Sequence, residues 1–350
     1  MIKYEDVRAL HLELSSNCNA RCPLCPRNFH GYPMNLGYPV TSLSLDNIKT
    51  MFDVSFVSRL RDIYLNGNFG DFMLASDALE IIKYFQTNNT KLKVFISTNG
   101  SARTKDFWHQ LGATKNIEIH FCLDGLADTH HLYRIDTDWQ RVIDNAKTYI
   151  AAGGCARWKM IKFDHNQHQI DACRQMSVDL GFAEFELVDH SRNQGTVYDR
   201  NGDYSHDIGT RDVGKYKTYH KELEDVIVNF PGPNYQEPVH EKIVCQIINE
   251  GSIYVSSNGD ISPCCYLGMY SSTYGPATSW GNEQVKVLIA DQKINALNHP
   301  LRECMEWFSK VEDSWAKTSY KDGRLLRCNS HCGVKEQPLI NNSLTKNLVD

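Results

Sequence analysis

The sequence predicts an α/β protein, a partial (β/α)6 barrel open on one side and followed by a small cysteine-bearing C-terminal domain. Three observations predict it. Six strand-like segments alternate with five helical ones before residue 190, the pattern of parallel strands joined by crossover helices. Six units fall short of the eight of a closed barrel. Six of the 12 cysteines lie after residue 240, beyond a chain break at Pro231-Gly232-Pro233.

The elements follow in order. Ala9–Leu14 alternates and runs into the polar stretch Ser15-Ser16-Asn17, a strand entering a loop. Ser44 is placed to cap a helix over 45–52. A short strand over 62–65 leads into the glycine loop Asn66-Gly67-Asn68-Phe69-Gly70-Asp71, and 77–85 has helical spacing. A third strand, 92–97, ends in Thr98-Asn99-Gly100, and a helix covers 105–111. The fourth strand, 116–122, is closed by Leu123-Asp124-Gly125; Cys122 reads as a buried small residue, and the His130-His131 pair as surface. A helix over 139–151 stops at Gly153-Gly154. A strand over 157–163, a helix over 168–180 and a strand over 182–188 complete the barrel. His165 and His168 fit the start of that last helix better than a metal site.

The domain boundaries read from this pattern are 1–195 for the barrel, 196–240 for a polar linker with one helix near 215–228, and 241–350 for the C-terminal domain. Hydrophobic residues make up 41% and charged residues 23%, ordinary for a globular chain. The net charge of -5 and the lack of a dense Lys/Arg tract give a nucleic-acid partner no electrostatic support. No run of 18 apolar residues exists, and no apolar stretch follows Met1-Ile2-Lys3-Tyr4-Glu5-Asp6, so no membrane partner is expected and the cytoplasm is the expected location. In that reducing compartment 12 cysteines point to metal binding before disulfides.

The chemistry concentrates at Cys18-Asn19-Ala20-Arg21-Cys22-Pro23-Leu24-Cys25, three thiols on the loop after the first strand. At this cysteine content, chance gives a C-x3-C-x2-C spacing in about one chain in seventy. Thiolates hold iron–sulfur clusters, and a cube has four irons to ligate. Three local cysteines leave one iron open, as a catalytic metal requires. The alternative is zinc, which wants a fourth ligand nearby; none follows before His30.

C-x3-C-x2-C after the first strand of a partial barrel resembles the radical S-adenosylmethionine (SAM) superfamily. The resemblance implies a 4Fe-4S cluster on Cys18, Cys22 and Cys25, with SAM chelating the open iron and a flavodoxin- or ferredoxin-like electron donor. It also implies SAM contacts. Gly67, Asn68, Gly70 and Asp71 resemble the family's glycine-rich motif toward the SAM amino group, with Asp71 in place of Glu. Thr98, Asn99 and Asp124 correspond to positions lining the SAM site and Arg134 to an arginine facing the SAM carboxylate, while Asn166, after the fifth strand, is placed to reach the SAM ribose or carboxylate. The residue before the third cysteine is usually aromatic; here it is Leu24.

Cys245 and the Cys264-Cys265 pair flank an apolar stretch that turns at Asn258-Gly259, a hairpin signal. Cys304 and Cys328-Asn329-Ser330-His331-Cys332 follow. This arrangement resembles the C-terminal extension called SPASM, or its shorter twitch form. It implies an auxiliary 4Fe-4S cluster on Cys245, Cys264, Cys328 and Cys332, with Cys265 and Cys304 spare. A four-cysteine zinc site remains open on spacing alone. The expected function is reductive SAM cleavage and hydrogen abstraction from a small-molecule or peptide substrate. The alternative is a non-catalytic, zinc- or cluster-stabilised binding protein on a degenerate barrel.

Overall fold

The computed structural model of the chain describes residues 1–33, 40–189, 195–209, 242–271 and 280–334. Its centre is an eight-stranded sheet. In chain order the strands of the molecule are β1 (Ala9–Leu12), β2 (Asn28–Phe29), β3 (Tyr32–Pro33), β4 (Asp62–Leu65), β5 (Lys93–Thr98), β6 (Ile117–Cys122), β7 (Cys155–Ile161), β8 (Glu184–Val188), β9 (Gly195–Tyr198), β10 (Tyr204–Ile208), β11 (Ser252–Val255) and β12 (Ile261–Ser262). The sheet order is β12-β11-β1-β4-β5-β6-β7-β8. The six strands read from the sequence are parallel neighbours in that order, and helices Ala78–Asn88, Lys105–Gly112, Trp139–Ala151 and Ile170–Asp179 make crossovers between them.

Several helix starts are set by local chemistry. Ser44 and Asn47 exchange side-chain and backbone hydrogen bonds in a capping box that starts helix Leu45–Met51. Thr104 and Asp138 cap the helices after β5 and β6. Along β6, Ile117, Ile119 and Phe121 are buried toward the helices, with Phe121 against Trp108 and Tyr149. The alternate residues Glu118, His120 and Cys122 lie on the opposite face. That face is partly open and charged. His120 bridges Glu118 and Glu186 at 3.0 and 3.2 Å, and Lys159 reaches Glu186 at 2.8 Å.

One strand was not foreseen in this place. The expected hairpin forms, with Gly259 at φ +88° in its turn. Its first strand, β11, runs parallel to β1 in the register Leu10 to Ile253 and Leu12 to Val255. The segment after residue 241 therefore shares the barrel's sheet and covers the edge that β1 would otherwise expose. The physical reason is burial on both faces: Ser252, Ile253, Tyr254 and Val255 are all buried, as in a central parallel strand.

The segment read as a polar linker opens with the antiparallel hairpin β9–β10. Its signal was the Asn201-Gly202 pair, with Gly202 at φ +86°. Val197 and Ile208 from this hairpin pack with Ala20, Cys22, Tyr133 and Phe163, a small apolar cluster beneath the cysteine loop. The helix expected near 215–228 lies outside the described residues.

Candidate metal and cofactor site

The loop carrying Cys18, Cys22 and Cys25 leaves the C-terminal end of β1, the end at which βα barrels do chemistry. It is tied down at both ends. Arg21 N donates to Ile135 O at 2.9 Å, the Arg21 guanidinium reaches the Gly31 and Tyr198 carbonyls, and Arg27 reaches Cys18 O at 3.0 Å. A turn from Cys25 N to Cys22 O, 3.1 Å, brings those two thiols together. Burial pushes the Cys18 thiol up to about 12, helped by the nearby Asp71 carboxylate, and the Cys25 thiol up to about 11, helped by Cys22. Such thiols stay protonated until a cation takes their charge. N–H groups already point at two of them: Ala20 N at 3.4 Å and Asn99 Nδ2 at 3.6 Å from Cys18 Sγ, and Arg134 Nη1 at 3.6 Å from Cys22 Sγ.

The glycine loop is pressed onto this cysteine loop. A Cβ on Gly70 would sit 1.8 Å from the Ser15 carbonyl oxygen, and one on Gly67 would sit 2.6 Å from Gly70 O. Only glycine allows that approach. Asp71 N donates to Asn17 O at 2.9 Å. The Asp71 carboxylate does not reach outward. It accepts from Thr98 Oγ1 at 2.8 Å, Asn99 N at 2.9 Å, Asn99 Nδ2 at 3.1 Å and Met73 N at 3.4 Å. Those bonds use about the four sites a carboxylate offers. In this structure the side chain clasps the glycine loop to the end of β5. Asn68, from the same loop, points its amide at Cys265 O, 2.8 Å away.

On the other side of the cysteine loop, Asp124 is wholly buried at the end of β6. Its oxygens take Arg134 Nε at 2.5 Å and Ile161 N at 2.6 Å. Burial works against the Arg134 charge, but Asp124 and Cys22 hold it firmly protonated. Asp124 and Cys22 use two of its five N–H donors, which leaves part of the guanidinium fork for a ligand carboxylate. Asn166 is also wholly buried, and its amide group donates to Asp124 O and Ile161 O while its oxygen accepts from Phe163 N. With both donors committed to backbone, Asn166 braces the loop after β7.

Two histidine readings change as well. His130 is fully buried, accepts from Asp124 N through Nδ1 at 3.2 Å and contacts Thr137 Oγ1 through Nε2. Desolvation lowers it to about 3, so it is neutral and supports Asp124. His165 caps nothing. It stacks on Phe163 with ring centroids 5.1 Å apart, and both ring nitrogens are buried without a hydrogen-bond partner among the described residues. Orphaned nitrogens beside the cysteine loop's apolar floor suit a ligand with its own donors and acceptors.

The second cysteine group assembles from three stretches. Val244 N donates to Cys332 O and Val334 N to Lys242 O, both at 2.8 Å, which lays Cys245 beside helix Leu326–Cys332. The Cys245 and Cys332 thiols hydrogen-bond each other, raising Cys245 and lowering Cys332. Cys264, Cys328 and Cys245 lie within electrostatic reach of one another. Cys304 stands apart, buried near Glu303, Asp260 and Lys293, with its thiol toward His299 O. Cys265 faces Glu13, Glu250 and Tyr254. Among the described residues no three Cys, His, Asp or Glu side chains close on one point as the ligands of a single ion do.

The donor sets fit the groups that the resemblance implies. Three thiols on one loop, one buried and two half-buried, with N–H donors at Cys18 and Cys22, suit a cube with one open iron. The glycine loop, Arg134 and His165 surround the loop with groups suited to an amino acid and a base.

No family model and no curated protein matches the chain. Solved structures do match in fold. The crystal structure of Streptococcus suis SuiB bound to S-adenosylmethionine is similar over 89% of this chain and 66% of its own, with 15% identity and a TM-score of 0.51. SuiB bound to the precursor peptide SuiA gives 16% identity and a TM-score of 0.52 over 91% of this chain. The chain thus spans just under two thirds of the length of SuiB. Native anSMEcpe with bound AdoMet matches over 90% of this chain and 88% of its own, with 13% identity and a TM-score of 0.52. These neighbours are radical SAM enzymes, and the chain has their fold. Among the described residues no helix is long and apolar enough to cross a membrane.

Proposed function

We propose that this chain is a radical SAM enzyme that acts on a peptide. The observation that carries the reading is the placement of Cys18, Cys22 and Cys25 together at the C-terminal end of a parallel sheet, between a glycine loop and a buried Asp124–Arg134 pair. A reduced 4Fe-4S cube held by these thiols would supply the electron for reductive cleavage of SAM, and hence for hydrogen abstraction from substrate. The chain's own residues do the rest. Cys18, Cys22 and Cys25 hold the cube. Gly67, Asn68 and Gly70 offer backbone to the SAM amino group, and the free part of the Arg134 fork takes the carboxylate. Thr98, Asn99, Asp124 and Asn166 fix those groups in place. The open face of β6–β8, with His120, Lys159 and Glu186, forms a polar wall for the substrate.

A peptide is favoured because a relative of the same fold is seen with one: SuiB with its precursor peptide SuiA. A flavodoxin- or ferredoxin-like protein is the proposed electron donor. Residues 1–195 form the SAM-cleaving part, and 241–350 carry a second 4Fe-4S cluster on Cys245, Cys264, Cys328 and Cys332, in the manner of a twitch module. With four protein ligands that cluster is saturated, which suits electron transfer or support of the fold. Single Ala replacements at the six C-terminal cysteines, each followed by anaerobic reconstitution and iron counting, test this part. Loss of about four irons is expected at Cys245, Cys264, Cys328 and Cys332, and near-normal loading at Cys265 and Cys304. Zinc in place of iron, or full loading in any of the first four variants, overturns the assignment.

A further inference from the structure

The glycine loop is held by more than its glycines. On β1, His11 Nε2 contacts Asn66 O at 2.5 Å; burial lowers this histidine, so the ring is neutral and its N–H is the donor. Two residues on, the buried Glu13 carboxyl group accepts from Phe69 N at 2.8 Å and Gly70 N at 2.9 Å through Oε1, and the Asn68 backbone N–H also faces it. Its second oxygen, Oε2, accepts from Tyr254 O–H at 2.5 Å. Tyr254 belongs to β11, 241 residues further along the chain.

Tyr254 is in turn fixed from the cysteine side. Its ring meets His11 edge-on with centroids 5.1 Å apart. The helix Cys265–Ser271 lies so close that a Cβ on Gly268 would sit 2.2 Å from the Tyr254 ring. That helix begins directly after Cys264. Asn68 closes the circuit, its side chain beside Tyr254 and donating to the Cys265 carbonyl at 2.8 Å.

We infer that Glu13 and Tyr254 are positioning residues which shape the glycine loop and tie that shape to the C-terminal cysteine site. The path is short and physical. Cys264 anchors the start of a helix, the helix wedges the Tyr254 ring, Tyr254 orients Glu13, and Glu13 gathers the amides of residues 68–70. A buried carboxyl group that collects several N–H groups holds a loop by satisfying amides that water cannot reach, although burial raises Glu13 toward its neutral form. Removing the tyrosine hydroxyl leaves that carboxyl group short of one donor in a dry setting. Ordering of the second cysteine site therefore feeds into the loop. Taken with the proposed function, it also feeds into SAM affinity.

The test uses the full chain and Tyr254→Phe, which keeps the ring and its packing. Hydrogen exchange of the Phe69 and Gly70 amides, followed in the metal-free protein, reads the loop without any cofactor. Exchange at those two amides is expected to quicken about tenfold or more, while the amides of β5 and β6 are unchanged. In reconstituted protein with normal iron content, SAM binding by equilibrium dialysis is expected to weaken about tenfold. Glu13→Gln should reproduce both effects. Cys264→Ala should speed the same two amides in reconstituted wild-type protein and add little in Tyr254→Phe. Unchanged exchange in Tyr254→Phe overturns the positioning role. Full additivity of Cys264→Ala and Tyr254→Phe overturns the link to the cysteine site. Failure of wild-type protein to bind SAM would count against the proposed function alone, since the exchange measurement still judges the junction.

Discussion

Replacing Cys18, Cys22 and Cys25 together by Ala is expected to abolish release of 5'-deoxyadenosine from SAM while leaving the visible absorbance of a second cluster. The three thiols are the donor set on the loop after β1, and two of them already meet N–H groups from Ala20, Asn99 and Arg134. The other cysteine group is built from residues 245, 264, 328 and 332 on separate stretches, so losing the first set leaves its ligands intact. The chain should fold, because Ala fills a thiol's place in the small apolar cluster with Tyr133, Phe163 and Val197 at modest cost. Undiminished SAM cleavage in the triple variant would remove this loop from the chemistry.

Arg134→Ala is expected to cost about 3–5 kcal/mol of stability in urea denaturation, because it strands a buried carboxylate. Asp124 is fully buried, and its Oδ2 lies 2.5 Å from Arg134 Nε. Asp124→Asn in the same chain should recover a large part of the loss, since a neutral amide at 124 no longer demands a cation. Under conditions where Arg134→Ala stays folded, SAM binding should also weaken at least about tenfold, the cost of losing a charged partner in a desolvated site. A stability loss below about 1 kcal/mol, the scale of an exposed pair, would contradict this dependence of Asp124 on Arg134.

Much of the fold was legible because its signals are local. Strands and helices up to residue 188 carry their own periodicity, caps and glycine stops, and the helix Trp139–Ala151 has the predicted ends. The cysteine loop was legible for the same reason, since its three thiols fall within eight residues. What escaped depends on partners distant in sequence. Nothing local tells Ile253-Tyr254-Val255 that it will pair with β1, although its apolar run suits a strand buried on both faces. Glu13 looked like one polar residue in an alternating strand; its role exists only once β4's loop and Tyr254 close around it. Asp71 and Asn166 lie on the loops the sequence marked, and their internal hydrogen bonds were not legible there. Their side chains turn inward because a tight loop leaves amides that must be satisfied. His130 read as surface for want of a visible partner, and the partner is a backbone N–H.

The central claim is tested most directly by giving anaerobically reconstituted wild-type protein SAM and a strong reductant such as dithionite, then quantifying 5'-deoxyadenosine by mass spectrometry alongside bound iron. The account predicts 5'-deoxyadenosine formed only with reductant, in protein holding about eight irons per chain. Zinc in both cysteine groups, with SAM recovered intact, would contradict it.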